Sequence, residues 1–280
     1  MRYVIVVLIA VFILSGCVNN RATVPDGDNV DIQNQESSGA QADGQMSETN
    51  YIISYCAKEN SDENLIYFNY PQFQETIVNA IELNEVIVGF VGSALQEICE
   101  GGFKGTLRDS PENLEWDNSN YTLQAMDIDY EIVRSDSDYF SVKFEGLYNN
   151  KTSAHPVNYF NSLTIDLGKC ERATLSDLYS IDGDFVKLIR NKFQEQIREG
   201  LAERVGVSFD EIPESTEELL SLQDDEMLLE SLRQADKNND GGFYSFLKET
   251  ALGISVPVEH AVGDHFEIII PYDDLKSFTN

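Results

Sequence analysis

The sequence predicts an α+β fold, with antiparallel sheets packed against a few amphipathic helices. Three observations carry this. Apolar and polar residues alternate with period two in the middle of the chain and again near its end. Two other stretches space their apolar residues as one face of a helix. Strands and helices do not alternate in the regular order that a parallel α/β sheet requires.

The elements follow in order. Arg2 precedes an apolar run from Val4 to Leu14, which closes in Leu14-Ser15-Gly16-Cys17. A run this short falls below the roughly 20 residues of a membrane-spanning helix. Its basic start, apolar centre and small closing residues are the layout of a secretory signal. The last four residues resemble the bacterial lipobox, whose cysteine is lipidated. The expectation is a signal peptide over 1–16 and a lipidated Cys17. The protein is then extracytoplasmic and anchored to the cell membrane by that lipid. Residues 17–50 are polar and poor in large apolar side chains, so they cannot bury enough surface to offset the entropy of ordering, and they read as a tether.

Residues 51–125 read as a strand–helix subdomain. Tyr51 to Phe68 holds two short Ile- and Tyr-rich strands, and Tyr70-Pro71 breaks the pattern. From Gln74 to Cys99, Ile77, Ile81, Val88, Val91, Leu95 and Ile98 are spaced as one helical face, with Gly89 and Gly92 weakening it. Gly101 to Asn120 reads as loop.

Residues 126–280 read as the α+β domain proper. Ile128, Tyr130 and Ile132, then Phe140, Val142 and Phe144, then Leu163, Ile165 and Leu167 alternate with polar residues, as half-buried strands with one face in water do. Ser135 to Asp138, "SDSD", is a hairpin turn. Phe185, Leu188, Ile189, Phe193 and Ile197 form a second helical stripe that ends near Gly200. Glu217 to Gln234 is helical, with acids early and Arg233 late as the helix dipole favours. Phe243–Leu247, Ile254–Val258 and Phe266–Ile270 are closing strands.

Composition narrows the function. The formal net charge is -30. That excludes nucleic acid as a partner, since binding it needs a basic face, and it favours a cationic one. Three cysteines follow Cys17. Cys56 and Cys99 flank one helical segment and are the favoured disulfide, with Cys170 left over; three cysteines admit other pairings. No CxxC or Cys/His spacing indicates zinc.

Between Asp129 and Gln196 a series of phrases resembles the RsiV-like extracytoplasmic domain family. They are Ala154-His155 in a turn between strands, Ile165-Asp166-Leu167-Gly168-Lys169 at a strand end, and Leu175-Ser176-Asp177-Leu178 before a helix. "FEIIIPYDDL" at 266–275 resembles the family's closing Pro-Tyr-x-x-Leu, and "YFNYPQF" at 67–73 its preceding region. The family includes lysozyme-sensing anti-sigma factors, domains beside polysaccharide deacetylases and uncharacterised lipoproteins. Thr152-Ser153 departs from the glycines that often precede Ala-His. The expectation is that neither the anti-sigma nor the deacetylase activity transfers, because no cytoplasmic segment precedes the signal and no deacetylase domain follows.

In the family the Ala-His turn is structural, which implies that role for Ala154, His155 and Pro156. Proline stiffens the turn and the imidazole hydrogen-bonds backbone. A zinc site of His155, His260 and His265 is the competing reading, without support from ligand spacing. No hydrolase elbow, P-loop or dinucleotide fingerprint occurs. Acid pairs such as Asp127/Asp129 and Asp273/Asp274 are commonplace in so acidic a chain.

Asp236, Asn238 and Asp240 followed by Gly241 match the opening of a calcium loop, where oxygens at positions 1, 3 and 5 converge. Its second half fails: position 12 is Leu247 where a bidentate glutamate belongs. The competing reading is an Asx- and Gly-rich turn. The sequence thus favours a non-enzymatic, lipid-anchored surface protein. Its expected ligand is a cationic protein such as lysozyme, or an envelope component, and calcium is the one cofactor it suggests. The alternative is an envelope hydrolase acting on cell-wall glycan or peptide.

Overall fold

The computed structural model describes residues 52–60, 65–99, 103–104, 115–116, 123–151, 154–205, 222, 224–237, 242–258, 260 and 263–280, with backbone alone at 53–60, 65, 103–104, 115–116 and 201–205. All fall within one compact unit, Glu48–Asn280. The fold is α+β, as expected. Strands β1 (Ile52–Asn60), β2 (Leu65–Phe73), β5 (Leu123–Ser135), β6 (Tyr139–Asn150), β7 (Val157–Asp166) and β8 (Glu171–Arg172) form one six-stranded sheet in the order β1-β2-β5-β6-β7-β8. Only the β2–β5 pair is parallel. A second sheet has the order β11-β10-β9, from β9 (Tyr244–Leu247), β10 (Ala251–Pro257) and β11 (His265–Pro271). Within 101–120, two-residue strands β3 (Phe103–Lys104) and β4 (Glu115–Trp116) pair with each other.

The sheets stack between helices. Helix α1 (Ala80–Ile98) packs on one face of the large sheet, against Phe68, Phe140, Val142, Phe144, Leu163 and Ile165. The small sheet covers the other face. Helices α3 (Gly183–Val205) and α4 (Asp225–Gln234) then cover the small sheet through Ile189, Phe193, Leu228, Ile254 and Ile268. Short helices α2 (Leu175–Leu178) and α5 (Tyr272–Leu275) complete the chain. The segments on either side of residue 125 share the large sheet and the core beneath α1.

Several expectations change. Strand β2 runs through Tyr70-Pro71 to Phe73, because it pairs with β5 only at Leu65–Phe68 and is one-sided beyond that point. A proline's missing N–H is tolerated at such an edge. Helix α1 starts at Ala80, after Asn79 in a left-handed turn (φ 61), so Ile77 lies outside it. Asn84 ties the helix to the strand end, accepting from Phe73 N–H (2.7 Å) and donating to Phe73 C=O (2.9 Å). The buried face is therefore Ala80, Leu83, Ile87, Phe90, Val91, Ala94, Leu95 and Ile98, and Ile81 points outward. Helix α3 continues past Gly200, where the helix passes the Phe266 ring and a side chain would touch it.

The fourth difference matters most. Strand β6 is buried on both faces from Phe140 to Phe144, and β7 from Phe160 to Ile165. Alternation predicted one wet face, but the small sheet lies over it. Polar side chains there are used to join the sheets. Ser141 and Thr164 hydroxyls share a bond of 2.8 Å, Leu247 N–H donates to Ser141 Oγ (3.0 Å), and Ser162 Oγ donates to Ser245 C=O (2.8 Å). Phe160, Tyr244 and Phe246 pack between them, and Gly253 leaves room for the Phe246 ring.

Candidate binding site

One corner of the sheet stack gathers all three of the chain's histidines. The turn after β6 leads through exposed Ala154, His155 and Pro156 into β7. Asn158 lies on the stretch of β7 that β8 does not reach, since β8 pairs only with Ile165 and Asp166. Its N–H and its side-chain amide both donate to Asp264 Oδ2, at 3.0 and 2.9 Å. Asp264 Oδ1 in turn sits 2.9 Å from His260 Nδ1. The His260 ring stacks on His155, with centroids 6.2 Å apart and planes 25° apart. His155 thus lies in the bend that leads into β7, and its ring meets another imidazole. Burial raises the Asp264 pKa; the Asn158 donors and His260 outweigh it, so the carboxyl sits below its ordinary value. Asp264 also holds a left-handed backbone (φ 68), a conformation non-glycine residues adopt at a cost.

The next residue, His265, turns inward against Phe160 (5.8 Å) and Tyr244 (6.3 Å). Burial pushes its pKa down, which favours the neutral ring. His265 borders a cavity of about 210 Å³ that reaches from Glu97 at the end of α1, past Tyr148 and Asn150 of β6, to Tyr159 of β7 and Tyr244 of β9. Burial also raises the pKa of Tyr148, with help from the carboxylates of Glu97 and Asp264, and of Tyr159. Glu97 is the one carboxylate among the described lining residues. Glycoside hydrolysis by side-chain carboxyls uses two, flanking the scissile bond.

Two other ionisable groups are buried beyond this corner. Lys143 points from β6 toward the small sheet, 3.1 Å from Glu267, 3.2 Å from Glu131 and 3.4 Å from Glu145. Its ammonium also lies 5.3 Å from the Phe246 ring centroid, within reach of a cation–π attraction. Asp236 is 2% exposed. Its carboxylate accepts from Ser245 N–H (2.7 Å), Ser245 Oγ (2.5 Å) and Leu175 N–H (3.0 Å). Asp236 therefore faces the core and ties α2 to β9. Asn238, Asp240 and Gly241 lie outside the described residues, as does Cys17. The Cys56 side chain does too, although its backbone is part of β1; Cys99 is buried at the end of α1. Among the described residues no three His, Cys, Asp or Glu side chains converge to hold a metal ion. His155 and His260 meet, while His265 faces the cavity.

The phrases that carried the sequence resemblance build turns and caps. Asp166 accepts from Gly168 and Lys169 N–H, both at 3.1 Å. Asp177 closes a capping box with Thr174. Tyr272 donates to Lys248 C=O (2.7 Å) and accepts from Arg134 (3.1 Å). The cavity's own residues, Tyr148, Asn150, Tyr159, Tyr244 and His265, were not marked by any spacing. Apart from His265, weighed above as a zinc ligand, the only trace in the sequence is aromatic and amide density in "LYNN" and "NYF".

No family model and no curated protein matches the chain. Solved structures do resemble it. A DUF3298 family protein from Pseudomonas aeruginosa PAO1 aligns with a TM-score of 0.53 at 12% identity, over 82% of this chain and 92% of that one. A member of the same family from Bacteroides fragilis aligns with a TM-score of 0.44 at 12% identity, over 82% and 93%. The likeness is one of fold. Among the described residues no helix is long and apolar enough to cross a membrane.

Proposed function

We propose that this chain is a lipid-anchored extracytoplasmic protein that binds a cationic protein, lysozyme being the candidate to which the RsiV-like resemblance leads. One observation carries the reading. At the start of α1, Val78 is 82% and Ile81 66% exposed, the largest exposures among the described large apolar residues. Glu75, Glu82 and Glu85 surround them, also exposed. No lysine, arginine or histidine occurs between Phe73 and Cys99. Apolar residues within a charged rim are the anatomy of a protein-binding patch, and the sign of this rim selects a basic partner.

Calorimetric titration with lysozyme at physiological salt tests it. A fixed stoichiometry is expected, and Ile81→Asp should weaken affinity by about 10-fold or more, the loss of a well-packed anchor. Because Ile81 is solvent-exposed, its replacement should leave the melting temperature unchanged. Absence of heat, or binding without stoichiometry that a modest salt increase abolishes, overturns the reading. The anchor has its own test: Cys17→Ser should shift the protein from the membrane fraction to the soluble fraction of cells, and an unchanged distribution refutes lipidation at that residue.

A further inference from the structure

Polar atoms buried in a folded protein nearly always have a hydrogen-bond partner, and each exception asks for a cause. Three exceptions border one cavity here. Asn150 Oδ1, Tyr159 Oη and His265 Nδ1 are buried without a well-formed hydrogen bond, Tyr159 meeting only the Asn161 side chain and His265 the Asn158 backbone, and they come from three different strands, β6, β7 and β11. Beside them Asn158 spends both its backbone N–H and its side-chain amide on Asp264.

Their chemistry narrows the occupant. Asn150 Oδ1 only accepts. A neutral imidazole offers one donor and one acceptor, and a phenol does both. A ligand that pairs with all three must donate and accept from closely spaced atoms, which is what adjacent alcohol hydroxyls do. The walls add aromatic surface from Tyr148, Tyr159 and Tyr244, and ring faces pack against C–H groups. Charge excludes the competitors. The Arg172 guanidinium, close enough to Tyr159 and Tyr244 to interact with both, opposes a cation. Glu97 at the mouth and Asp264 beside it oppose an anion. The cavity of about 210 Å³ is smaller than the roughly 300–1,000 Å³ of sites for drug-sized ligands. It is about seven times the 30 Å³ share of one water molecule.

We infer that this cavity is a binding site for a single neutral sugar ring, held by hydroxyl hydrogen bonds to Asn150, Tyr159 and His265 and by contact with the tyrosine rings. The site lies at the C-terminal end of α1 and takes a small molecule, so it stands or falls separately from the cationic-protein reading at the other end of that helix.

Amide chemical shifts of the purified protein decide it, with glucose, galactose and N-acetylglucosamine as probes and tetramethylammonium and inorganic phosphate as charged controls. At least one sugar should shift the amides of Tyr148, Asn158, Tyr159 and His265 in a saturable way. Tyr159→Phe, which keeps the ring and removes the hydroxyl, should weaken that binding about tenfold, the worth of one strong hydrogen bond. Should Tyr159→Phe fail to fold, Asn150→Ala at the cavity wall reads the same loss. Saturable shifts from tetramethylammonium or phosphate but from no sugar, shifts from none of the probes, or sugar binding unaltered in the variants would each overturn the assignment.

Discussion

Asp236 and the cavity beside His265 are both polar sites in the interior, and they are finished differently. Around Asp236 every carboxylate contact is a made hydrogen bond: two donors from Ser245 and one from Leu175. Around the cavity three polar atoms from three strands lack a well-formed one. The first arrangement spends its polarity on holding α2 and β9 together. The second holds polarity in reserve at a cost to stability, which a fold sustains when something outside the chain makes up the bonds. The contrast separates scaffold from site without reference to any motif.

The comparison can be broken by mutation, and the largest effect belongs to the satisfied site. Asp236→Ala strands two backbone N–H groups and a hydroxyl in the core. At about 1–3 kcal/mol for each donor left unsatisfied, urea denaturation should show a loss of at least about 3 kcal/mol. A loss below about 1 kcal/mol would mean that water replaces the carboxylate and that Asp236 is no strut.

Lys143 is intermediate, since its ammonium is buried but its carboxylate partners are 29–63% exposed. Lys143→Met should cost about 1–2 kcal/mol near neutral pH, a buried pair's value discounted for solvent screening. Burial lowers the Lys143 pKa, but Glu267 and Glu145 outweigh it and the folded value lies above 10.5. Its contribution is therefore complete below pH 10.5 and lost as pH rises through the folded value. Wild-type and variant stability curves should converge on the alkaline side; curves that stay parallel there would show that Lys143 acts through packing alone.

The smallest effect sharpens the contrast. Tyr159→Phe removes a hydroxyl whose interaction with the Asn161 side chain falls short of a well-formed hydrogen bond, so stability should change by no more than about 0.5 kcal/mol, or rise. A loss of about 1 kcal/mol or more would expose a structural bond and return Tyr159 to the scaffold.

How much of this was legible in the sequence depended on distance along the chain. Asp136 in the "SDSD" turn accepts from Asp138 and Tyr139 N–H within three residues, and short-range chemistry of that kind is written locally. The strands of β5, β6 and β7 were visible for the same reason. The helical face of α1 was misjudged because its rotation is set by Asn84 reaching back to Phe73. The second buried face of β6 was hidden because Ser141 and Lys143 look like surface residues until the small sheet covers them. The candidate site was the least legible of all. Its residues come from α1, β6, β7, β9 and β11, and no spacing rule links Asn150 to His265. His155 drew notice for its rarity, yet what it touches, His260, is contributed by a turn more than a hundred residues later.

One outer strand of the small sheet carries a further consequence. Strand β9 pairs only with β10, yet its other side offers little to a newcomer: Ser245 N–H is taken by Asp236, Leu247 N–H by Ser141, and Ser245 C=O by Ser162. On β7, Asp264 occupies Asn158 N–H in the same manner. Exposed strand margins are templates on which one molecule extends the sheet of the next, and proteins blunt them by various means. Here the stoppers are hydroxyls and carboxylates already employed in joining layers. The same few side chains that lock the two sheets together thus also occupy the backbone groups at these two margins, which are then closed to the strand of a neighbouring copy.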